Sequence, residues 1–267
     1  GDPLAGDGPP PPHDRPEDPM DVTLPTRDGE RLDAGHLRGP AGTDLCVVMA
    51  HSFAGSRHKD AYRRLAAELH RTAAVVTFDF RGHGRSSGLS TGGEREVHDL
   101  AAAVEFARAR YPGVAAVGFS MGAACVVRLA AAEPGLLRAA AAVSTPARWQ
   151  YRGTPRMRLV QGLTSTGPGR AALRLATGTR LSPRPWNPAT ESPLDAVPRA
   201  APTPLLLVHG ARDPYYPLAT ARALKEAAGP SADLWVEAAA GHAEAGTSTA
   251  LMRRIAGWLT DSAARRP

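Results

Sequence analysis

Short apolar runs alternate with longer segments of helical period from residue 21 onward. The runs are DLCVVMA at 44–50, AAVVTFDF at 73–80, GVAAVGF at 113–119, AAAAVST at 139–145, TPLLLVHG at 203–210 and ADLWVEA at 232–238. None alternates strictly with polar residues, so each predicts a strand covered on both faces. Ala/Leu/Arg-rich segments at 59–71, 93–110, 121–132, 217–228 and 248–264 predict helices between and after them. Strands separated by helices define the α/β class, with a mostly parallel central sheet flanked by helices.

Two stretches break this rhythm. Residues 1–20 combine Pro, Gly and acidic residues with almost nothing to bury, and read as a disordered leader. Residues 146–202 are rich in Pro and hold two short helix candidates near 155–163 and 168–177, which predicts a small cap over the strand ends. The core is thereby divided into 21–145 and 203–267. Apolar residues of the insertion, Met157, Leu159, Val160, Leu163, Leu173, Leu175 and Trp186, form either a pocket wall or the cap's own packing face. Its nine arginines face only Glu191 and Asp195, so they are either solvated or a basic rim that attracts an anionic substrate.

Composition narrows the function classes. A length of 267 residues permits a substantial core. The net charge of +6 comes from a chain whose only lysines are Lys59 and Lys225, an Arg bias in keeping with its Ala, Gly and Pro excess. Neither a basic helix nor interleaved aromatics accompany it, so nucleic acid is not an expected partner. Cys46 and Cys125 lie in apolar segments without metal-type spacing and predict buried thiols in a reducing compartment. No run reaches the roughly 18 apolar residues of a membrane span, and no signal-peptide pattern is present, so a cytoplasmic protein is expected.

Gly118-Phe119-Ser120-Met121-Gly122 joins a predicted strand to a predicted helix, the setting of a G-x-S-x-G nucleophile elbow. Small residues at 118 and 122 admit a sharp turn that projects the serine hydroxyl above the sheet. The helix opening at Met121 aims free N–H groups at the same place. A serine hydroxyl needs a base, and the base needs an orienting group. His242 follows the last predicted strand in AAAGHAEAG, and Asp213 follows the strand at 203–210 in ARDPYYP.

With these residues the chain resembles the serine hydrolases of the α/β-hydrolase superfamily, from about residue 21 to the end. The order Ser120, Asp213, His242 is that family's triad order. MAHSFAGS at 49–56 is similar to the family's HG-x-x-G-S loop, which implies Phe53 N–H and Met121 N–H as the oxyanion donors; Ser52 stands where the family usually has glycine. FDFRGHGRSSG at 78–88 resembles the family's turn after the fourth strand, in which Asp79 and Arg81 are expected to fix loops. His51, Ser52, Tyr215 and Trp186 are the candidate substrate contacts. The resemblance implies hydrolysis of a carboxylic ester of a small-molecule acyl substrate, without a cofactor. No His or carboxylate cluster at ligand spacing points to a metal. A thioesterase acting on coenzyme-A or carrier-bound acyl groups, an acyl-transfer or cyclisation enzyme, and a non-catalytic binding module are the alternatives.

Overall fold

The computed structural model describes residues 19–184 and 187–265. Eight strands form one sheet in the order β1-β2-β4-β3-β5-β6-β7-β8. They are β1 (Met20–Pro25), β2 (Arg31–Leu37), β3 (Leu45–Ala50), β4 (Ala74–Phe78), β5 (Gly113–Phe119), β6 (Ala139–Val143), β7 (Leu205–Gly210) and β8 (Ala232–Glu237). From β4 to β8 every pairing is parallel, while β1 and β2 are antiparallel additions at one edge. The six strands predicted from apolar runs are all present.

Side-chain alternation explains why the central strands carry no polar alternation. In β3, Cys46, Val48 and Ala50 enter one core, with Leu100 and Val104 of α2 (Glu96–Arg108) and Val126 and Leu129 of α3 (Met121–Ala132). Val47 and Met49 enter the opposite core, with Leu65 and Leu69 of α1 (Asp60–His70) and with Ile255 and Leu259 of α9 (Thr249–Ala264). Both faces are covered, so both sets of positions must be apolar.

The leader lies outside the described residues except for Pro19 and Met20, the latter opening β1. Edge strand β1 buries only Leu24 and therefore has no apolar run to betray it. Its turn into β2 closes through Thr26 and Gly29, whose φ of +94 suits glycine.

The insertion divides in two. Its first part holds α4 (Pro155–Ser165) and α5 (Gly167–Thr177), two helices packed on one another, each capped by a threonine hydroxyl. Its last part, with α6 (Pro193–Ala196), packs on α7 (Leu218–Ala228) and sends Ala196, Val197 and Ala200 into the α2/α3 core. Between them Leu181 pairs with Ser90, and Arg180 and Ser182 exchange backbone bonds with Gly82 and Ser90 of the loop after β4.

That loop is fastened by buried ion pairs. Arg81 reaches Asp99 through two guanidinium nitrogens at 2.6 and 2.9 Å and Asp28 through two more bonds at 2.7 and 2.8 Å. The side chains of Arg81 and Asp99 are almost wholly buried. Arg81→Ala leaves Asp99 without its partner, so urea denaturation should register a loss of about 3–5 kcal/mol. A loss under about 1 kcal/mol, the scale of an exposed pair, would contradict this account.

Candidate active site

Strands β3 and β5 are neighbours whose crossovers run to opposite sides, β3 to β4 on one side and β5 to β6 on the other. Such a switch point opens a crevice beyond the carboxyl ends of the strands. Loop 51–55 leaves the end of β3 there, and Ser120 leaves the end of β5.

Ser120 has φ 50° and ψ −109°, a conformation that L-residues rarely adopt. It is held by its own N–H donating to Val143 O at 2.8 Å and by its carbonyl accepting from Ala124 N–H at 3.0 Å. The flanking glycines are required for space. A Cβ on Gly118 would lie 2.3 Å from Gly122 O, and one on Gly122 would lie 2.4 Å from Ala50 O. Gly122→Ala must push α3 away from β3, so we expect a stability loss of about 1–3 kcal/mol by denaturation. A variant as stable as the parent would contradict the close approach.

The hydroxyl of Ser120 lies 3.0 Å from Nε2 of His242, and Nδ1 of His242 lies 2.7 Å from Oδ2 of Asp213. A carboxylate only accepts, so the imidazole proton sits on Nδ1 and Nε2 is left to accept from the serine. The Asp213 side chain is fully buried. Its other oxygen accepts the N–H groups of Tyr215 at 2.8 Å and Tyr216 at 3.1 Å. Burial pushes its carboxyl up, yet the His242 contact and these backbone bonds outweigh that and hold it below the ordinary carboxylate value. The Tyr215 ring lies 4.4 Å from that of His242, centroid to centroid.

Among the loop 51–55 amides, Ser52 donates to Glu244 Oε1 at 2.7 Å, Ala54 to His83 Nε2 at 3.2 Å and Gly55 to Ser52 O at 2.8 Å. Phe53 N–H is left without an acceptor among the described residues. Met121 is the first residue of α3, where an N–H has no intrahelical partner. Phe53 and Met121 both border the same cavity as Ser120 and His242.

That cavity has a volume of about 1490 Å³. Its walls include Ser52, Tyr215, Trp149 and, from the α4–α5 pair, Met157, Val160 and Leu173. His51, expected as a substrate contact, is not among them. Its ring is completely buried, bonded to Ser52 O at 2.7 Å and accepting Phe80 N–H at 3.0 Å, so it braces the loop from behind. Burial pushes its pKa down to about 4, which leaves it neutral. Trp186 lies outside the described residues. Leu159 and Leu175 of the insertion point outward and are exposed.

One convergence had no signal in the sequence spacing. Asp33, His58 and Asp79 bring donor atoms within 4.8 Å of one another. The cation already seated there is Arg57, whose Nε lies 2.7 Å from Asp33 Oδ2 and whose backbone N–H donates to Asp79 Oδ1 at 2.6 Å. Glu244 and Ser144 were also passed over. Glu244 stands two residues after His242, and the buried Ser144 Oγ accepts Ala243 N–H at 3.0 Å.

A mostly parallel sheet flanked by helices, with a strained serine after β5 and its partners after β7 and β8, is the α/β-hydrolase fold. Residues 46–158 match the family model described as alpha/beta hydrolase fold, and residues 180–266 match the one described as TAP-like protein. Among solved structures, an esterase of Pyrococcus furiosus, Pf2001, is similar at 24% identity and a TM-score of 0.70, over 93% of this chain and 92% of that one. The esterase domain of a Rhodothermus marinus protein is similar at 24% identity and a TM-score of 0.65, over 92% and 98%. The alpha/beta hydrolase GrgF from Penicillium sp. sh18 is similar at 17% identity and a TM-score of 0.73, over 92% and 99%. No curated protein matches the sequence. Among the described residues no helix is long and apolar enough to cross a membrane.

Proposed function

We propose that the protein is a serine hydrolase that cleaves a carboxylic ester through an acyl-enzyme. The observation that carries this reading is the continuous relay from Ser120 Oγ to His242 to Asp213, at 3.0 and 2.7 Å, built on a serine whose backbone is strained. Ser120 Oγ attacks the ester carbonyl while His242 Nε2 takes its proton. Asp213 holds the tautomer and stabilises the imidazolium that results. Phe53 N–H and Met121 N–H receive the negative charge that develops on the carbonyl oxygen, where one such donor is worth roughly 10²–10³ in rate. His242 then returns its proton to the leaving alcohol, and water activated by the same nitrogen releases the acid. Pre-steady-state hydrolysis of a p-nitrophenyl ester tests this: a burst of about one equivalent of nitrophenol per chain supports the acyl-enzyme. Hydrolysis without a burst and without an acyl adduct speaks against it.

A second reading concerns the leaving group. Arg95, Arg152, Arg170 and Arg184 border the cavity, and none has a carboxylate within ion-pair distance among the described residues. Glu30, Glu94 and Glu244 are the acidic residues that border the same cavity. The cavity exceeds the roughly 300–1,000 Å³ of an ordinary small-ligand pocket. A coenzyme-A or carrier-bound thioester, anionic and long, suits such a space. Matched oxygen esters and coenzyme-A thioesters of one acyl group decide between the two by kcat/KM. The buried thiols Cys46 and Cys125, both raised by burial above the ordinary cysteine pKa, fit a cytoplasmic setting for either.

A further inference from the structure

Glu244 is buried beside the candidate triad and takes no part in its relay. It belongs to α8 (Ala243–Gly246), the single helical turn that follows His242. Its Oε1 accepts the backbone N–H of Ser52 at 2.7 Å, across 192 positions of sequence. Burial drives its carboxyl above the ordinary range, against the pull of its bonds to Ser52. An acid is kept in such a place at a cost that its contacts must offset.

The backbone around it is under strain. Among the described residues, the non-glycine positions with φ between +50° and +59° are Ala54, Ser120, Ser144 and Ala243. They lie on four of the strand-end segments that meet at the site, after β3, β5, β6 and β8. Each such residue is strained and persists only where its surroundings hold it. Ala243 is held by Ser144, whose hydroxyl accepts its N–H at 3.0 Å. The adjoining Glu244 reaches the other way, to the loop that carries Phe53.

We propose that Glu244 is a positioning residue, whose side-chain oxygen clamps loop 51–55 to the histidine loop and so keeps Phe53 N–H aligned with Ser120 and His242. The assignment rests on the reading of the site as a serine hydrolase. Its physical content is reach, not charge. Ser52 N–H is committed to Glu244, Ala54 N–H to His83 and Gly55 N–H to Ser52 O, so the loop presents Phe53 N–H to the cavity. Releasing Ser52 frees the loop to drift, and a misplacement of about 1 Å at a reacting group can cost about 10²-fold in rate.

Two substitutions separate reach from charge. Glu244→Gln keeps the length and the acceptor oxygen but removes the charge, whereas Glu244→Asp keeps the charge and is one methylene too short. Amide hydrogen exchange of peptides covering residues 50–57, read with ester kinetics on the same samples, is the test. Glu244→Gln should exchange like the parent and hold kcat within about threefold, because the loop geometry persists. Glu244→Asp should exchange about tenfold faster in this segment, through local opening, and lose about 10²-fold in kcat with little change in KM. Unchanged exchange in Glu244→Asp overturns the clamp, as does a glutamine variant as impaired as the aspartate one. Faster exchange with undiminished kcat overturns its part in the reaction. If the parent protein itself hydrolyses no ester, the reading of the site fails instead, and exchange in the two variants still reads the clamp.

Discussion

Ser120→Ala will abolish ester hydrolysis, with kcat falling by about 10⁶-fold, the scale seen when a serine hydrolase loses its nucleophile. In the proposed mechanism the Ser120 hydroxyl is acylated, and Ser52, the neighbouring hydroxyl on the cavity wall, makes no hydrogen bond to His242. His242 Nε2 is the partner of Ser120, and the histidines of the two neighbouring loops, His51 and His83, are engaged. His51 accepts from Phe80 N–H, and His83 accepts from Ala54 N–H and bonds Arg81 O at 3.0 Å. The alanine variant keeps the elbow, because the bonds that fix residue 120 are made by its backbone N–H and carbonyl. Stability should therefore stay within about 1 kcal/mol of the parent. A variant that retains more than about one hundredth of the parent kcat would place the chemistry elsewhere, since Ser and His act as a unit.

Asp213→Asn will lower kcat by about 10⁴-fold while leaving the binding cavity unchanged. An asparagine can present its amide N–H to the imidazole, which favours the tautomer with the proton on Nε2, and that tautomer cannot accept from Ser120. The same substitution has a pH-dependent effect on stability whose sign follows from the depressed carboxyl of Asp213. A carboxyl held below its unfolded value stabilises the fold above that value, and the contribution is lost as the pH falls through the folded value. Parent and variant should thus differ in stability at pH 5–7 and converge as the pH drops below about 4. Denaturation curves at several pH values measure this, and a gap that widens on acidification would reverse the account.

How much of this was legible beforehand depended on the kind of signal. Strands β3 to β7 are covered on both faces, so runs such as 44–50 and 203–210 mark them, and the edge strand β8 keeps a short apolar run at 234–236; the helices between them follow from their period. Strands β1 and β2 left no run, because β1 exposes most of its residues and β2 carries Asp33 and His36 between apolar neighbours. Local pattern pointed to Ser120, since the steric demands on Gly118 and Gly122 are local too. Asp213 and His242 are singled out by their position after strands and by the order in which they follow Ser120. The interval 146–202 was marked by its proline content, but which part of it joins the core depends on Ala196, Val197 and Ala200 meeting α3, and no spacing encodes that. His51 sits in a loop motif and looked like a substrate contact, although its ring turns inward to Phe80. Glu244 was hidden for the opposite reason: its partner is a backbone N–H far away in sequence, which no motif records.

The most direct measurement of the central claim is covalent. The parent protein is incubated with a fluorophosphonate, digested, and the adduct located by tandem mass spectrometry. A single phosphonylated peptide bearing the modification on Ser120, absent from Ser120→Ala, is the predicted result. An adduct on another residue, or a folded parent protein that takes up no probe, would contradict the assignment of Ser120 as the nucleophile.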